Sequence, residues 1–250
     1  MLHCVVPPLG IMVAYRPSFL QRLHTAAAMP TRRPKPPRLI ETDADVMAGV
    51  AALRRKCPVF RKMHGVAGIP PLRRRPGGFE GLSRIIVGQQ LSVASAAAIW
   101  TRTALAVQPF EASVLLALSD EPLRGAGLSA SKVRTLRAIA NAVAIEGLDL
   151  ETLDTFDDEA VHAALTGISG IGPWTADIFL MFCLGRADTF AGGDLALQVA
   201  AQWALDLETR PGPVELVAIA ERWRPWRGVA ARMLWAYYAA VKKTRSAVPV

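Results

Sequence analysis

Apolar residues at helical spacing fill most of this chain, and that pattern restricts the fold more than any other feature. From residue 79 onward they recur every three or four positions in successive segments, which are separated by glycine, proline or charged turn residues. We find no useful stretch in which apolar and polar residues alternate, as they would in a half-buried strand. The sequence therefore predicts an all-α fold, a compact array of about nine or ten short helices. The segments with the helical pattern are 79–87, 92–105, 113–118, 131–145, 158–165, 173–184, 194–205, 214–223 and 227–242.

The chain divides by composition into two parts, and we expect only the second part to fold. Four of the eight residues in 30–37 are proline, which fixes φ and lacks a backbone N–H, so this stretch favours neither a helix nor a sheet. We predict a disordered, basic, proline-rich tail over 1–38 and one helical domain over 39–245. Thr42 is a suitable N-cap for a first helix of about 13 residues.

Most of the net charge of +8 lies in that tail. Of the 29 Lys/Arg and 21 Asp/Glu residues, six Lys/Arg and no acid fall within 1–38, which leaves only +2 for the rest. A segment with arginines and no acidic residues is also typical of some transit peptides. The alternative explanation is that translation starts later, at Met12 or Met29. A nucleic-acid surface on the folded part would therefore depend on local arrangement rather than on overall charge.

The cysteines and the apolar runs exclude several classes of protein. Cys4, Cys57 and Cys183 are scattered without CxxC spacing, which argues against a disulfide framework, a zinc site and an iron–sulfur cluster. No apolar run reaches the ~18–20 residues of a membrane-spanning helix, and the N-terminus lacks the pattern of a secretory signal. We expect a cytoplasmic protein with no membrane partner.

One segment, LTGISGIGPWTAD at 165–177, stands apart from the other helix connections. One helix is expected to precede it and another to begin at Pro173, where a missing N–H does no harm. Gly170 and Gly172 allow a sharp turn and a close approach to a partner. Free amides at a helix start attract anions, so this helix, hairpin and helix can bind a phosphate backbone without side-chain charge.

The segment resembles the helix-hairpin-helix motif of DNA-repair glycosylases, and the resemblance extends over most of residues 40–240. In that superfamily a Gly/Pro-rich loop and a catalytic aspartate follow about twenty residues later, and here Asp194 occupies that position in TFAGGDLAL, 189–197. Gly193 stands where the superfamily often has proline or a second acid. Aspartate is also a common N-cap, and both roles are compatible because a helix dipole favours an ionised carboxylate at its first turn.

Other positions point to one branch of this superfamily. Members that also cut the DNA backbone carry a lysine where this chain has Trp174, so the resemblance implies a monofunctional enzyme that uses water. Residues 78–93 are similar to the signature of 3-methyladenine DNA glycosylase II, in which the residue matching Gln90 wedges into the duplex. Residues 223–227 are similar to a family segment that precedes a pocket-lining tryptophan, here Trp235. The closest form is the short one without an extra N-terminal domain.

The resemblance also implies how the site would work. The backbone of Gly170, Gly172 and Thr175 would bind DNA, and Trp174 and Trp235 would line the base pocket, where electron-rich indoles attract a cationic alkylated base. No cofactor is required. In the family, hairpin carbonyls bind a monovalent cation, Na⁺ or K⁺, and by motif position these belong to Thr166, Ile168 and Ile171.

The expected partner is double-stranded DNA with alkylated bases, met in the bacterial nucleoid by a monomer. Three other interpretations stay open: a helix-hairpin-helix protein that binds DNA without catalysis, a glycosylase for mismatched or oxidised bases, and a generic helical domain. The sequence does not resolve the range of bases, so hypoxanthine, 7-methylguanine and 1-methyladenine also remain candidates.

Overall fold

The computed structural model describes residues 37–246, with side chains for 37–244, and this part of the chain is all-α, as predicted. Its only extended pairing is an isolated antiparallel bridge between Leu39 and Arg186. Short 3₁₀ turns lie at Leu153–Thr155 and Glu221–Trp223. The twelve α-helices of the described residues are α1 (Asp43–Lys56), α2 (Pro58–Ala67), α3 (Gly78–Gly88), α4 (Val93–Ala106), α5 (Ala112–Ala117), α6 (Asp120–Gly125), α7 (Ala130–Ala144), α8 (Asp158–Thr166), α9 (Pro173–Phe182), α10 (Leu195–Leu205), α11 (Pro213–Ala220) and α12 (Arg227–Ser246).

Side-chain caps fix where several of these helices begin. Thr42 is the N-cap of α1, as predicted, and forms a capping box with Asp45, in which each side chain bonds to the other residue's backbone N–H. Ser92, Ser129 and Asp157 cap α4, α7 and α8, and the side chain of each accepts a backbone N–H three residues later. These caps set the entry points of the helices that surround the candidate site.

Two helices were not among the predicted segments. One of them is α2, which begins at Pro58, because proline fits the first helical position, where its missing N–H has no intrahelical partner. The other helix, α6, has only six residues and contains Pro122, so its apolar pattern is too short to recognise. The predicted helix over 214–223 is also divided, since α11 ends at Ala220 and a 3₁₀ turn follows.

The first described residues, next to the predicted start of the domain at residue 39, contact its later part. The carbonyl of Arg38 accepts the N–H of Ala187 at 2.9 Å, and its guanidinium lies 4.4 Å from the centre of the Trp226 ring. Ile40 extends this contact, because its N–H donates to the carbonyl of Gly185 at 2.7 Å. The rest of the predicted tail, residues 1–36, lies outside the described residues.

The helices pack in two groups, and α9 is joined to both, since it packs on α3 and its Met181 carbonyl accepts Arg232 of α12. In one group, the long C-terminal helix α12 packs on α1, α2 and α10. In the other, α3 packs on α4 and α7, and α7 also covers α5. Helix α9 contacts both α8 and α3, and Phe179 and Met181 of α9 are fully buried in the core. The hairpin between α8 and α9 is therefore held on a rigid support.

None of the helices in residues 37–246 combines the length and the apolar character that a membrane crossing requires.

Candidate active site

Asp194 lies at the N-cap of α10, at the end of a tightly packed loop. Its Oδ1 accepts the backbone N–H of Leu197 at 3.0 Å, which is the capping role expected for an aspartate there. The loop is held from below, because Gln198 Nε2 donates to the carbonyl of Gly192 at 3.0 Å. A Cβ on Gly192 would lie 2.5 Å from Val217 Cγ2, so this position needs glycine. The helix start and the loop together fix the carboxylate.

Both predicted pocket tryptophans donate their indole N–H to this carboxylate. Trp174 Nε1 is 2.9 Å from Asp194 Oδ2, and Trp235 Nε1 is 3.0 Å from Asp194 Oδ1. Trp174 lies in the first turn of α9 and Trp235 in the middle of α12, so three helices converge on one side chain. With the Leu197 amide, Oδ1 accepts two bonds and Oδ2 accepts one. Since each carboxylate oxygen has about two acceptor sites, Oδ2 retains capacity for one further donor.

The two indoles also border open space on the protein surface. Trp174 is half-buried and lines a groove of about 980 Å³ that extends between α8, α9 and the start of α11. Trp235 packs against Phe182, with ring centres 5.7 Å apart, and lines a much smaller cavity of about 20 Å³ beside Pro70, Pro71 and Arg73. A cavity of that size holds about one water molecule, so a purine base could enter there only after the neighbouring loop moved.

The groove beside Trp174 contains an unusual carboxyl group. Asp177 is one turn further along α9, and burial raises the pKa of its carboxyl to about 7, although Arg227 partly opposes this change. Its Oδ1 is 3.7 Å from His162 Nε2 on α8, so the pair links the two helices of the hairpin. Asp177 therefore exchanges its proton near neutral pH, and it lies next to the candidate catalytic residues.

The small cavity beside Trp235 has the opposite electrostatic character. Arg232 is 3% exposed, and its guanidinium donates to the carbonyls of Gly228 at 2.9 Å and Met181 at 3.0 Å. Burial, together with the nearby charges of Arg74 and Arg73, lowers the pKa of Arg232 to about 10. The group nevertheless stays charged at neutral pH and gives this side of the site a positive potential.

The hairpin presents backbone amides to solvent, as the sequence suggested. Gly170 has φ +87°, and a Cβ at that position would lie 2.2 Å from Thr135 Oγ1 on α7, so glycine is required there. Gly172 is the N-cap of α9 with an extended backbone and open space around it. Both glycines are exposed, and neither N–H has an acceptor within the described part of the chain. This leaves two donors free at the N-terminus of a ten-residue helix.

Thr175 does not fit its predicted role as a direct DNA contact. Its side chain is only 2% exposed, its hydroxyl accepts Gln89 Nε2 at 2.9 Å, and its backbone N–H donates to the carbonyl of Gly172 at 3.0 Å. The threonine is directed into the protein because it lies on the face of α9 that packs on α3. Its contribution is to connect the hairpin to the turn after α3.

One of the three hairpin carbonyls predicted to bind a monovalent cation, that of Ile168, is already engaged in a hydrogen bond within the hairpin. The carbonyl of Ile168 already accepts the N–H of Ile171 at 3.0 Å, but a carbonyl oxygen has a second lone pair that can bind a cation. Within the described residues no cluster of three or more His, Cys, Asp or Glu side chains could hold a metal ion. The binding of Na⁺ or K⁺ by the carbonyls of Thr166, Ile168 and Ile171 stays a prediction.

Gln90, the predicted wedge residue, lies in an exposed turn, and its role stays a prediction. It follows the C-terminus of α3, its side chain is exposed, and its backbone has φ +57°. Leu91 beside it is also exposed, and Ser92 then begins α4. The turn therefore projects from the surface between α3 and α4, and Gln89 joins it to α9, the helix that carries Trp174.

Sequence reasoning did not identify Gln89, Lys132 or Asp177 as parts of the site. Lys132 Nζ donates to the carbonyls of Val87 and Gln89, at 2.8 Å in each case. The signal in the sequence is its place in the first turn of α7, where the helix dipole disfavours a cation unless another partner is available. Asp177 gives no comparable signal, because its altered pKa results from burial that only the packing reveals.

Comparisons with known proteins show which family this chain is similar to. Residues 83–225 match the HhH-GPD superfamily of base excision DNA repair proteins. DNA-3-methyladenine glycosylase 1 of Schizosaccharomyces pombe is 31% identical over 162 residues, which are 63% of this chain and 71% of the relative. By contrast, the chain spans only 41% of the length of each of two relatives, from Bacillus subtilis and Mycobacterium tuberculosis.

Two solved structures share the fold over most of their length. A DNA-3-methyladenine glycosidase from Bacillus halodurans is 33% identical with a TM-score of 0.66, over 82% of this chain and 94% of that protein. The S. pombe 3-methyladenine DNA glycosylase in complex with abasic DNA is 26% identical with a TM-score of 0.68, over 75% and 95%. Since the family match spans more than half of the chain, and Asp194 and the hairpin both lie within it, the protein belongs to the HhH-GPD superfamily of base excision DNA repair proteins.

Proposed function

We propose that this protein is a monofunctional DNA glycosylase that hydrolyses the N-glycosidic bond of alkylated purines, such as 3-methyladenine, in duplex DNA. The observation that carries the proposal is the Asp194 carboxylate, held by one backbone and two indole N–H donors beside an exposed phosphate-binding hairpin. A protein that only bound DNA would have no use for a carboxylate fixed in this way. The names of the relatives and the abasic-DNA complex of the S. pombe enzyme support the same substrate class.

In the proposed complex the duplex lies across the hairpin. The free N–H groups of Gly170 and Gly172 donate to a phosphate, and the dipole of α9 adds to the attraction. The carbonyls of Thr166, Ile168 and Ile171 would hold a Na⁺ or K⁺ ion, which would place a positive charge next to the same phosphate. The damaged nucleotide leaves the stack, at a cost of a few kcal/mol, and Gln90 fills the gap that it leaves.

The chemical step needs one carboxylate and one water molecule. A base such as 3-methyladenine is already cationic, so when its bond to the sugar breaks, the bonding electrons neutralise it and no general acid is required. The sugar becomes oxocarbenium-like, and Asp194 stabilises its positive charge or accepts a proton from the attacking water. Oδ2, which has one acceptor site left, is the oxygen that can do this. The products are the free base and an abasic site.

The absence of strand cleavage is part of the proposal. Trp174 is at the position where lyase members of the superfamily carry lysine, and its N–H is engaged by Asp194. An indole cannot form a Schiff base, so borohydride should trap no covalent complex between the protein and abasic DNA.

The decisive experiment is release of bases from methylated DNA by the full chain and by Asp194→Asn. Asparagine caps a helix as well as aspartate does, but it has one acceptor oxygen, so the N–H of Trp174 or of Trp235 loses its acceptor. The variant should fold with a loss of about 1–3 kcal/mol in stability, bind abasic DNA and lose about 10³-fold in excision rate. Asp157→Asn is the matched control, because Asp157 caps α8 with the same kind of bond, 2.7 Å long, to Ala160. Undiminished excision by Asp194→Asn would remove the catalytic assignment. No excision by the unaltered protein would favour a DNA-binding protein without catalysis.

A further inference from the structure

The turn that carries Gln90 has a backbone conformation that its own local interactions do not favour. Gln90 adopts a left-handed conformation, φ +57°, which is unfavourable for a residue with a side chain. Its side chain is exposed and makes no hydrogen bond within the described residues. The last carbonyls of α3, just before the turn, also lack partners within their own helix. Contacts from elsewhere must therefore hold this turn in position.

Lys132 provides the stronger of two such contacts. Its ammonium donates to the carbonyls of Val87 and Gln89, both at 2.8 Å, and so satisfies the C-terminus of α3 on either side of its final residue. The lysine is itself in the first turn of α7, where the helix dipole disfavours a cation, and burial lowers its pKa. The helix dipole and burial both disfavour the charged lysine here. Its two hydrogen bonds to the turn offset these costs and hold Lys132 in place.

The second contact joins the turn to the hairpin. Gln89 Nε2 donates to Thr175 Oγ1 at 2.9 Å, and Thr175 is fixed by its burial in α9 next to Trp174. The turn is thus connected to α7 by Lys132 and to α9 by Gln89. A direct contact of Lys132 with DNA fits less well, because two of its three N–H donors are already engaged and its side chain is only partly exposed.

We propose that Lys132 is a positioning residue that holds the Gly88–Leu91 turn so that Gln90 can enter the duplex at the damaged nucleotide. The proposal rests on the proposed function, since it requires Gln90 to act as the wedge. Lys132 touches neither base nor sugar. It restricts the turn to one conformation before DNA binds. Insertion of Gln90 then does not carry the entropic cost of ordering the backbone.

The test compares Lys132→Met with Arg134→Met in the full chain. Methionine retains the apolar stem of Lys132 but cannot donate to the two carbonyls, and Arg134 is an exposed cation on the same helix, so both variants lose one charge from α7. We expect Lys132→Met to weaken binding to a duplex with a tetrahydrofuran abasic site about 10-fold, with binding to undamaged duplex changed by less than about 2-fold. Lys132→Arg, which can still donate to both carbonyls, should restore most of the loss.

A double-mutant cycle with Gln90→Ala shows whether Lys132 acts through the wedge. If it does, Lys132→Met should have little further effect on abasic-site binding in the Gln90→Ala background. Additive effects would overturn the proposal, as would equal losses for damaged and undamaged DNA, which would make Lys132 a phosphate contact. If Lys132→Met does not fold, Lys132→Gln is taken through the same cycle. Binding is measured without excision, so these results are independent of whether the protein releases a base.

Discussion

Asp177 is a carboxyl group whose surroundings favour its neutral form. Burial raises its pKa from 3.8 to about 7, and its contact with His162 spans the two helices of the hairpin. In the unfolded chain the group would ionise near its ordinary value. Between these two pH values folding takes up a proton, so the stability associated with Asp177 is present below pH 4 and is lost as the pH rises towards 7.

Replacing this residue should therefore stabilise the protein in a pH-dependent way. Asp177→Asn keeps the shape of the neutral acid, and it should raise the free energy of unfolding at pH 8 by on the order of 1–4 kcal/mol, with little change at pH 4. Urea denaturation at the two pH values measures this, with Glu159→Gln, an exposed carboxylate on the same groove, as the control. An equal effect of Asp177→Asn at both pH values would contradict the interpretation.

At the residue scale, the sequence suggested candidate side chains for the site but not how they meet. Asp194, Trp174 and Trp235 could be predicted because family motifs surround them. The hydrogen bonds from both indoles to one carboxylate could not, since residues 174, 194 and 235 come together only when α9, α10 and α12 pack. Thr175 was predicted to contact DNA because it lies at the start of the helix after the hairpin. Its side chain is instead directed into the core, which its position in the sequence does not reveal.

At the scale of single elements, the two hairpin glycines have different physical reasons to be glycine. Gly170 has a left-handed backbone and lies against Thr135, so Gly170→Ala should lower the free energy of unfolding by roughly 1–3 kcal/mol and also weaken DNA binding. Gly172 has φ −97° and open space around it, so Gly172→Ala should leave stability within about 0.5 kcal/mol and affect only the approach of DNA.

Thermal unfolding and duplex affinity of the two variants separate these roles. A fully stable Gly170→Ala protein would show that the hairpin backbone is not constrained by α7. Strong DNA binding by Gly172→Ala would show that the phosphate does not come close to this residue.

The helices illustrate the same division between local and non-local information. The starts of α4, α8 and α10 agree with prediction within one residue, because Ser92, Asp157 and Asp194 are caps that the sequence shows directly. Helices α2 and α6 were missed because one begins with a proline and the other is too short for an apolar period. The packing partners of each helix depend on contacts between distant residues, which a periodic pattern does not specify.

For the whole molecule, we expect general attraction to DNA to come from the basic residues of 1–38, and recognition of damage to come from the helical domain. Residues 1–38 hold six of the basic residues and no acid, whereas the remainder is nearly neutral. Replacing Arg32, Arg33 and Lys35 with glutamine should reduce the slope of log affinity against log salt for undamaged duplex by up to about 3. The excision rate at saturating DNA should not change, since the proposed chemistry depends on Asp194. An unchanged slope would mean that these three charges make no phosphate contacts.

The two indole N–H groups directed at Asp194 have a consequence for fidelity. An indole has one donor and no acceptor, so Trp174 and Trp235 have nothing left with which to read the edge of a base. If they form the pocket wall as proposed, a normal purine would meet the same flat surfaces as a damaged one. Undamaged genomes would then be protected by the strength of their own pairing and stacking, and slow loss of normal purines would follow wherever the duplex opens most easily.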